Sequence, residues 1–324
     1  MRALVTGANG FAGRYLVGFL MGKGYAVLAA CHGQQREDAL GAGVLVRQLN
    51  VTDRENLLHV IDEFLPDEIY HLAGIAATTG EDRERYYEVN FKGTLNLFEA
   101  VREAAPQARV LYVGSAAVYG DVSLEAQPIT EECSFAPVNH YGASKAAADL
   151  LAFTYGAEGL YLVRVRPFNH TGPGQSTAYV CSRLARSVAE VALCLGEPVI
   201  TAGNIDAARD FTDVRDVVCA YWLLLQRGSP GEAYNVCSGR AYTVREITGF
   251  LAQVAGVEVE LKSTAELRRR IDIPLLVGSA EKIRRATGWQ PEIPICQTLG
   301  DLFEWWRGRL LSDSSCRSPE SSHA

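Results

Sequence analysis

Short apolar segments alternate with segments of helical periodicity through the first half of the chain. Near-continuous runs of Val, Leu, Ile and Ala predict strands at residues 3–6, 26–30, 44–48, 69–73, 110–114 and 160–166. Between them, helices are predicted near residues 12–23, 53–64, 81–105 and 141–157. Strands that are apolar on both faces and separated by helices are typical of a parallel sheet covered on both sides. The pattern therefore predicts an α/β fold with a Rossmann-type doubly wound parallel sheet.

This alternation loosens after Pro167, where Gly, Pro and Asn become frequent. Helices predicted near residues 179–195, 213–227 and 243–255 indicate a smaller C-terminal substrate-binding domain. We therefore divide the chain into a Rossmann domain at residues 1–167 and a second domain at residues 168–311, some segments of which are free to return to the first sheet. The last residues, 312–324, are rich in Ser and lack apolar periodicity, so a disordered tail is expected.

Composition and charge narrow the class of protein. The 324-residue chain is 48% hydrophobic and 21% charged, which is typical of a folded globular protein. A net charge of −7 disfavours a nucleic-acid-binding protein. No apolar run approaches the roughly 20 residues of a membrane span, and no signal-peptide pattern opens the sequence. The eight cysteines include no CxxC pair, which disfavours a metal site and a disulfide framework, so a cytoplasmic setting is expected.

A glycine-rich turn follows the first predicted strand and precedes the first helix. In the spacing of Gly7, Gly10 and Gly13, the first glycine permits a tight turn, the second admits a pyrophosphate close to the backbone, and the third lets helix and strand pack closely. The helix N-terminus would offer N–H groups to the phosphates. A dinucleotide site is therefore predicted here, with Asn9 and Phe11 beside it; the alternative is a glycine-rich turn without a ligand.

The end of the second predicted strand bears on the choice of dinucleotide. Enzymes that use NAD commonly carry an acidic residue here, which holds the ribose hydroxyls. Residues 30–33 contain no carboxylate that would repel a 2′-phosphate, and His32 or Arg36 could meet one. This favours NADP(H) and leaves NAD(H) open. Asn50 and Val51, after the third strand, are predicted to lie near the adenine.

A tyrosine and a lysine stand four residues apart in a predicted helix. Tyr141 and Lys145 share one helix face, and a nearby cation lowers the pKa of a phenol, so Tyr141 could exchange a proton with a substrate oxygen. Ser115, which follows the fifth predicted strand, could hydrogen-bond the same oxygen. Because a Tyr–Lys spacing of this kind is common by chance, the interpretation depends on its combination with Ser115 and the glycine turn. Together they supply the chemistry that carbonyl reduction needs.

These residues resemble the extended short-chain dehydrogenase/reductase family, from the first residue to the expected tail. The resemblance implies hydride transfer at the nicotinamide, with Tyr141 as acid/base, Lys145 lowering its pKa and holding the nicotinamide ribose, and Ser115 orienting the substrate. Further cofactor contacts are implied for Leu72, Ala73, Gly74, Asn90 and Phe168. Members of the family commonly form homodimers through two helices per subunit, which here correspond to about residues 90–105 and 141–157.

Later motifs are similar to the sugar-nucleotide-binding segments of the GDP-mannose branch of this family. The resemblance implies that Asn169 hydrogen-bonds the substrate diphosphate and that Arg209 clamps it bidentately. Arg269 and Asp272 match the segment that holds the nucleotide ribose and phosphate, although the arginines at 268–270 are also typical of a solvated basic turn. The second domain would thus be mainly a nucleotide-sugar-binding domain.

Position 117 bears on which reaction is expected. In dehydratases of this branch, the carboxylate that removes the C5 proton lies two places after the Ser/Thr; here it is Ala117, whose methyl group cannot transfer a proton. This favours NAD(P)H-dependent reduction of the C4 keto group of GDP-4-dehydro-6-deoxy-D-mannose, to GDP-D-rhamnose or its C4 epimer. The alternatives are a nucleotide-sugar 4-epimerase with tightly bound NAD and GDP-mannose 4,6-dehydratase. A non-catalytic cofactor-sensing protein is the alternative from another class.

Overall fold

A computed structural model describes residues 1–33, 40–76, 82–267 and 273–315. Up to Pro167, strands and helices alternate in the predicted order. In chain order they are β1 Arg2–Thr6, α1 Phe11–Gly22, β2 Ala26–Cys31, β3 Leu45–Gln48, α2 Arg54–Phe64, β4 Glu68–His71, α3 Arg83–Tyr86, α4 Gly93–Ala104, β5 Arg109–Val113, α5 His140–Ala157 and β6 Leu162–Pro167. A π-helical turn at Tyr87–Lys92 joins α3 to α4, so the helix predicted at 81–105 is interrupted.

The second half contains more short strands than the sequence pattern indicated. In chain order its elements are β7 Asn169–Thr171, α6 Val180–Ala192, β8 Val199–Ala202, β9 Ala208–Asp213, α7 Val214–Arg227, β10 Ala233–Val236, β11 Ala241–Thr243, α8 Val244–Ala255, β12 Glu260–Ser263, β13 Leu275–Leu276, α9 Glu281–Thr287 and α10 Ile295–Ser315. Strand β9 pairs with β7, β11 and β13 in a four-stranded sheet, and β8 pairs with β12. This small sheet carries two of the residues expected to bind the substrate.

Seven parallel strands form the main sheet, in the order β3-β2-β1-β4-β5-β6-β10. Successive side chains leave opposite faces of a strand, so Ala3 and Val5 pack on the face covered by α1 and α7, while Leu4 packs on the face covered by α2, α4 and α5. Burial on both faces explains why the strands are apolar throughout. The predicted doubly wound parallel sheet is confirmed, and its strand order reverses between β1 and β4, where such sheets bind ligands.

Beyond Pro167, two elements join the layers of the main sheet. Strand β10 pairs with β6 at the sheet edge, and α7 packs on α1. Helices α6, α8 and α10 enclose a separate core that includes Leu184, Leu251 and Leu302. Within the described ranges, no helix is both long and apolar enough to cross a membrane.

The expected tail differs from the structure at its start. Helix α10 continues to Ser315, so residues 312–315 are helical where disorder was expected. Its earlier turns are anchored by Leu302 and Phe303, and adding residues to a helix that has already formed costs little free energy. Residues 316–324 lie outside the described residues.

Candidate active site

The glycine turn between β1 and α1 has the shape that a dinucleotide requires. Gly7 adopts a φ of +69°, and a Cβ atom on it would lie 2.8 Å from the backbone nitrogen of Ala73. A Cβ on Gly13 would lie 2.3 Å from the carbonyl oxygen of Gly7. Helix α1 begins at Phe11 with Gly10 as its N-cap, without a side-chain cap or an acidic residue in the first turn. Its first N–H groups therefore suit a pyrophosphate.

The predicted adenosine end is only partly described. The Asn9 side chain donates to the carbonyl oxygen of His32, 3.3 Å away, which ties the turn to the end of β2, and the His32 side chain is exposed. Arg36 lies outside the described residues. Asn50 is exposed, whereas Val51 is buried against the first residue of α4. Most of the Val51 side chain thus serves helix packing and leaves little surface for an adenine.

The segment after β4 meets α5 beside the glycine turn. A Cβ on Gly74 would lie 2.9 Å from Asn90 Oδ1 and 3.3 Å from Lys145 Nζ. The Asn90 side chain accepts a hydrogen bond from the Ile75 N–H at 2.8 Å, and the Leu72 N–H donates to the end of β1. The structure thus brings together residues from four parts of the sequence that were each predicted to contact the cofactor.

Asn90 is held by a chain of buried polar groups. It lies on the π-helical turn, is fully buried, and donates to Ser144 Oγ at 3.0 Å. Thr94 Oγ1 donates to the Asn90 carbonyl and hydrogen-bonds His71, which in turn hydrogen-bonds Thr6. Burial and then the nearby Lys145 lower the pKa of His71 to about 3, so its imidazole is neutral at physiological pH. This chain anchors the segments that follow β1 and β4 to the turn that carries Asn90.

The predicted effect of Lys145 on the Tyr141 phenol does not hold in this structure. Burial raises the pKa of Tyr141, and the group that opposes the rise is the Ser115 hydroxyl, through a hydrogen bond. Lys145 Nζ instead donates to the carbonyl oxygen of Val113 at 2.9 Å. The Tyr86 ring meets the Tyr141 ring edge-on, with 6.1 Å between centroids. A buried phenol of this kind remains protonated at neutral pH and is suited to donating a proton.

Three side chains near this centre were missed at the sequence level. Tyr86 and Tyr179 each raise the pKa of Tyr141, and Ser144 bonds Asn90. Ser144 lies inside the Tyr141–Lys145 motif and could have been noticed there, and Tyr86 precedes Asn90 by one helical turn. Tyr179, which caps α6, carried no such signal because it approaches only through the tertiary fold.

Lys145 carries a cost of burial that depends on pH. Burial lowers its pKa to about 8, while the nearby Asp149 carboxylate acts to raise it. A lysine in an unfolded chain titrates near about 10.4, so between these values the unfolded state binds the extra proton and stability rises with pH. The ligand-free parent should therefore gain stability relative to Lys145→Met as the pH rises from about 8 to about 10.

Urea unfolding at several pH values measures this difference. Lys262→Met, which removes an exposed lysine on β12, is the control and should follow the parent at each pH. A parent-minus-Lys145→Met difference that stays constant across this range would contradict the lowered pKa.

Phe168 does not present its ring to the cleft. Its side chain is 4% exposed and packs with Tyr119 and Cys237 in a buried cluster. A Cβ on Gly278 would come within 2.5 Å of the ring. The expected contribution of Phe168 to cofactor binding is therefore left to its main chain, because the aromatic side chain is a core residue.

Two predicted substrate residues lie on paired strands of the small sheet. Asn169, on β7, is exposed, and its side chain donates to the carbonyl oxygen of Asp210 at 3.3 Å. Arg209, on β9, is half-buried and donates to the carbonyl oxygen of Ala208 at 2.8 Å. The segment that contains Arg269 and Asp272 lies outside the described residues.

A seven-stranded parallel sheet, an anion-binding glycine turn, and a Tyr–Lys pair beside a serine define an NAD(P)-dependent enzyme of the short-chain dehydrogenase/reductase type. The family model described as GDP-mannose 4,6 dehydratase matches residues 4–302, and the chain belongs to that family. The resemblance noted from the motifs is thereby confirmed.

Known proteins similar to this chain include enzymes with different activities. A GDP-6-deoxy-D-mannose reductase from Pseudomonas aeruginosa is 37% identical over 315 residues, which cover 96% of this chain and 99% of the relative. The structure of RMD from Pseudomonas aeruginosa complexed with NADPH has a TM-score of 0.84 at 35% identity, covering 95% and 99% of the two chains. The structure of a UDP-glucose 4-epimerase from Thermus thermophilus in complex with NAD has a TM-score of 0.84 at 30% identity, with coverage of 95% and 99%. Nicotinamide dependence is thus confirmed for the family, whereas the particular reaction differs among its relatives.

Proposed function

We propose that this protein reduces the C4 keto group of GDP-4-dehydro-6-deoxy-D-mannose with NADPH or NADH, giving GDP-D-rhamnose or its C4 epimer. The observation that carries the proposal is a buried, protonated Tyr141 beside Ser115, without a carboxylate two residues further along. The similarity to a GDP-6-deoxy-D-mannose reductase supports it.

Reduction adds a hydride to the carbonyl carbon and a proton to its oxygen. A bound nicotinamide would supply the hydride. The Tyr141 phenol donates the proton, and its raised pKa keeps that proton available at neutral pH. Ser115 donates a hydrogen bond to the same oxygen, and the Lys145 ammonium stabilises the tyrosinate that remains. We favour NADP(H) over NAD(H), with Arg36 or His32 at the 2′-phosphate.

The substrate diphosphate would be held by side chains of the small sheet. Arg209 and Asn169, on paired strands, supply a guanidinium and an amide N–H, which are donors that suit phosphate oxygens. Arg269 and Asp272 would contact the nucleotide ribose and phosphate. Recognition of the anion by a few local donors agrees with a chain whose net charge is −7.

Position 117 lies against the start of the helix that carries the proton donor. A Cβ on Gly142 would be 2.7 Å from the carbonyl oxygen of Ala117, so this backbone packs directly beside Tyr141. A 4,6-dehydration needs a base for the C5 proton and an acid for the departing C6 hydroxyl, and a methyl group supplies neither. This favours reduction over dehydration.

The proposal is tested by offering the purified protein GDP-4-dehydro-6-deoxy-D-mannose with NADPH or NADH. We expect one equivalent of reduced cofactor to be consumed per keto sugar, and NMR of the product to show a C4 hydroxyl. Parallel incubations contain GDP-mannose without added reductant, and UDP-glucose. Formation of a 4-keto sugar from GDP-mannose would instead establish a dehydratase, and tightly bound NAD with interconversion of UDP-sugars would establish an epimerase; either result overturns the proposal.

We further propose a homodimer that forms through α4 and α5. Leu150 and Phe153, one turn apart on α5, are 58% and 53% exposed, and exposed apolar side chains clustered on one face mark an interface. The double substitution Leu150→Glu/Phe153→Glu should halve the mass measured by light scattering after size exclusion. Leu195→Glu, at an equally exposed leucine after α6, should leave the mass at that of the parent. Equal masses for all three proteins would contradict this interface.

A further inference from the structure

We propose that Asp210 is the positioning residue of the diphosphate site, because its carboxylate fixes the two loops on which the segment 168–169 and the strand of Arg209 rest. This inference rests on the proposed function, which assigns the diphosphate to Asn169 and Arg209.

The Asp210 carboxylate is fully buried and accepts four hydrogen bonds. One oxygen accepts from the Ser238 N–H at 2.8 Å and from Ser238 Oγ at 2.6 Å. The other accepts from the Gly239 N–H at 2.9 Å and the Gly278 N–H at 3.3 Å. Since Ser238 and Gly239 follow β10, and Gly278 follows β13, one side chain holds the ends of two strands from different sheets.

The main chain of Asp210 lies between the two predicted anion-binding side chains. Its carbonyl oxygen accepts from the side chain of Asn169, and Arg209 is the preceding residue on β9. Neighbouring side chains on a strand point to opposite faces. Anchoring the Asp210 carboxylate on one face therefore fixes the direction in which the Arg209 side chain leaves the strand.

The loop ends held by Asp210 also support the segment that carries Asn169. A Cβ on Gly278 would be 2.5 Å from the Phe168 ring and 2.8 Å from Cys237 Sγ, so these residues are in close contact. Phe168 directly precedes Asn169, and its N–H donates to the carbonyl oxygen of Val236 on β10. Release of Gly278 or of the β10 end would thus loosen the base under Asn169.

An asparagine at this position cannot reproduce the arrangement. Each carboxylate oxygen faces two donors, so either orientation of an amide places its NH2 group against N–H or O–H donors. Buried donors that lose their acceptor are costly, and one of the two loops is expected to move. Asp210→Asn should therefore weaken nucleotide binding while the proton-transfer residues stay in place.

The test measures GDP binding by calorimetry, in addition to steady-state kinetics with the keto sugar. Asp210→Asn should raise the Kd for GDP and the KM for the keto sugar by about tenfold or more, leave kcat within about threefold, and leave the Kd for NADPH unchanged, which is the pattern of a lost ground-state contact. Ser238→Ala keeps the carboxylate and removes one donor, so it should raise the Kd for GDP by only about threefold.

Asp216→Asn is the matched control. Asp216 is also buried and holds a loop, accepting from the N–H groups of Glu292 and Ile293, but that loop carries none of the proposed substrate residues. It should lower the melting temperature without changing the Kd for GDP. If Asp210→Asn lowers the melting temperature and binds GDP as tightly as the parent, the positioning role is wrong.

Two further outcomes complete the test. Should Asp210→Asn fail to fold, Ser238→Ala decides, and parental GDP affinity in that variant overturns the inference. If the parent itself binds no GDP, the proposed function fails, and the positioning role fails with it.

Discussion

Replacing Tyr141 with Phe is expected to slow reduction of the keto sugar by roughly 10²–10⁴-fold, the range that general acid catalysis contributes. The substitution removes a single oxygen and keeps the ring that packs edge-on against Tyr86. Binding of NADPH and GDP should therefore remain within about twofold of the parent, so that the loss appears in kcat. Single-turnover measurements with saturating NADPH and keto sugar report the chemical step directly.

Tyr155→Phe provides the matched control for Tyr141→Phe. Tyr155 lies on the same helix, and its hydroxyl hydrogen-bonds Glu99. This variant should retain parental kcat, although it loses a phenol from α5. Parental turnover by Tyr141→Phe would refute Tyr141 as the proton donor, and an equal loss in both variants would indicate damage to the helix.

Gly13→Ala is expected to destabilise the protein by about 3 kcal/mol or more and to raise the Kd for NADPH by roughly 10²-fold. The added Cβ would lie 2.3 Å from the carbonyl oxygen of Gly7 and 2.9 Å from backbone atoms of Ala8. Backbone atoms cannot rotate away as a side chain can, so α1 must separate from the turn. That displacement withdraws the first N–H groups of α1 from the pyrophosphate.

Gly18→Ala tests whether the effect of Gly13→Ala is specific to its position. Gly18 lies on the same helix with nothing within 4 Å of an added Cβ, so this change should raise stability by about 0.5–1 kcal/mol, the helical preference for Ala over Gly. Urea unfolding and the quenching of protein fluorescence by NADPH measure both quantities. Parental NADPH affinity in Gly13→Ala would show that close packing at this turn is not required.

Local patterns in the sequence predicted much of the main sheet. The apolar runs of β1, β2, β4 and β5 are detectable because both faces of these strands are buried, so no polar residue interrupts them. The glycine turn was predictable for the opposite reason, since its close contacts are made within a single strand–turn–helix unit. Helix interruption at Tyr87–Lys92 was not predictable, because the π-helical turn depends on Asn90 bonding to Ser144, a residue far away in sequence.

The pKa of Tyr141 shows where sequence reasoning about the site failed. A four-residue spacing places Lys145 on the same helix face, and this proximity suggested a lowered phenol pKa. The spacing carries no information about how deeply the face is buried or which acceptor the ammonium finds. In the fold, burial dominates and raises the pKa, while the Lys145 ammonium bonds Val113.

The sequence by itself determined the class of fold, the glycine turn and the Tyr141–Lys145 pair, because each depends on residues within one or two elements. Only the tertiary structure decided that Phe168 is a core residue, that β10 joins the main sheet, and that Asp210 holds two loops together. These features are contacts between segments distant in sequence. Burial and hydrogen-bond partners of this kind are set by packing, and no local periodicity records them.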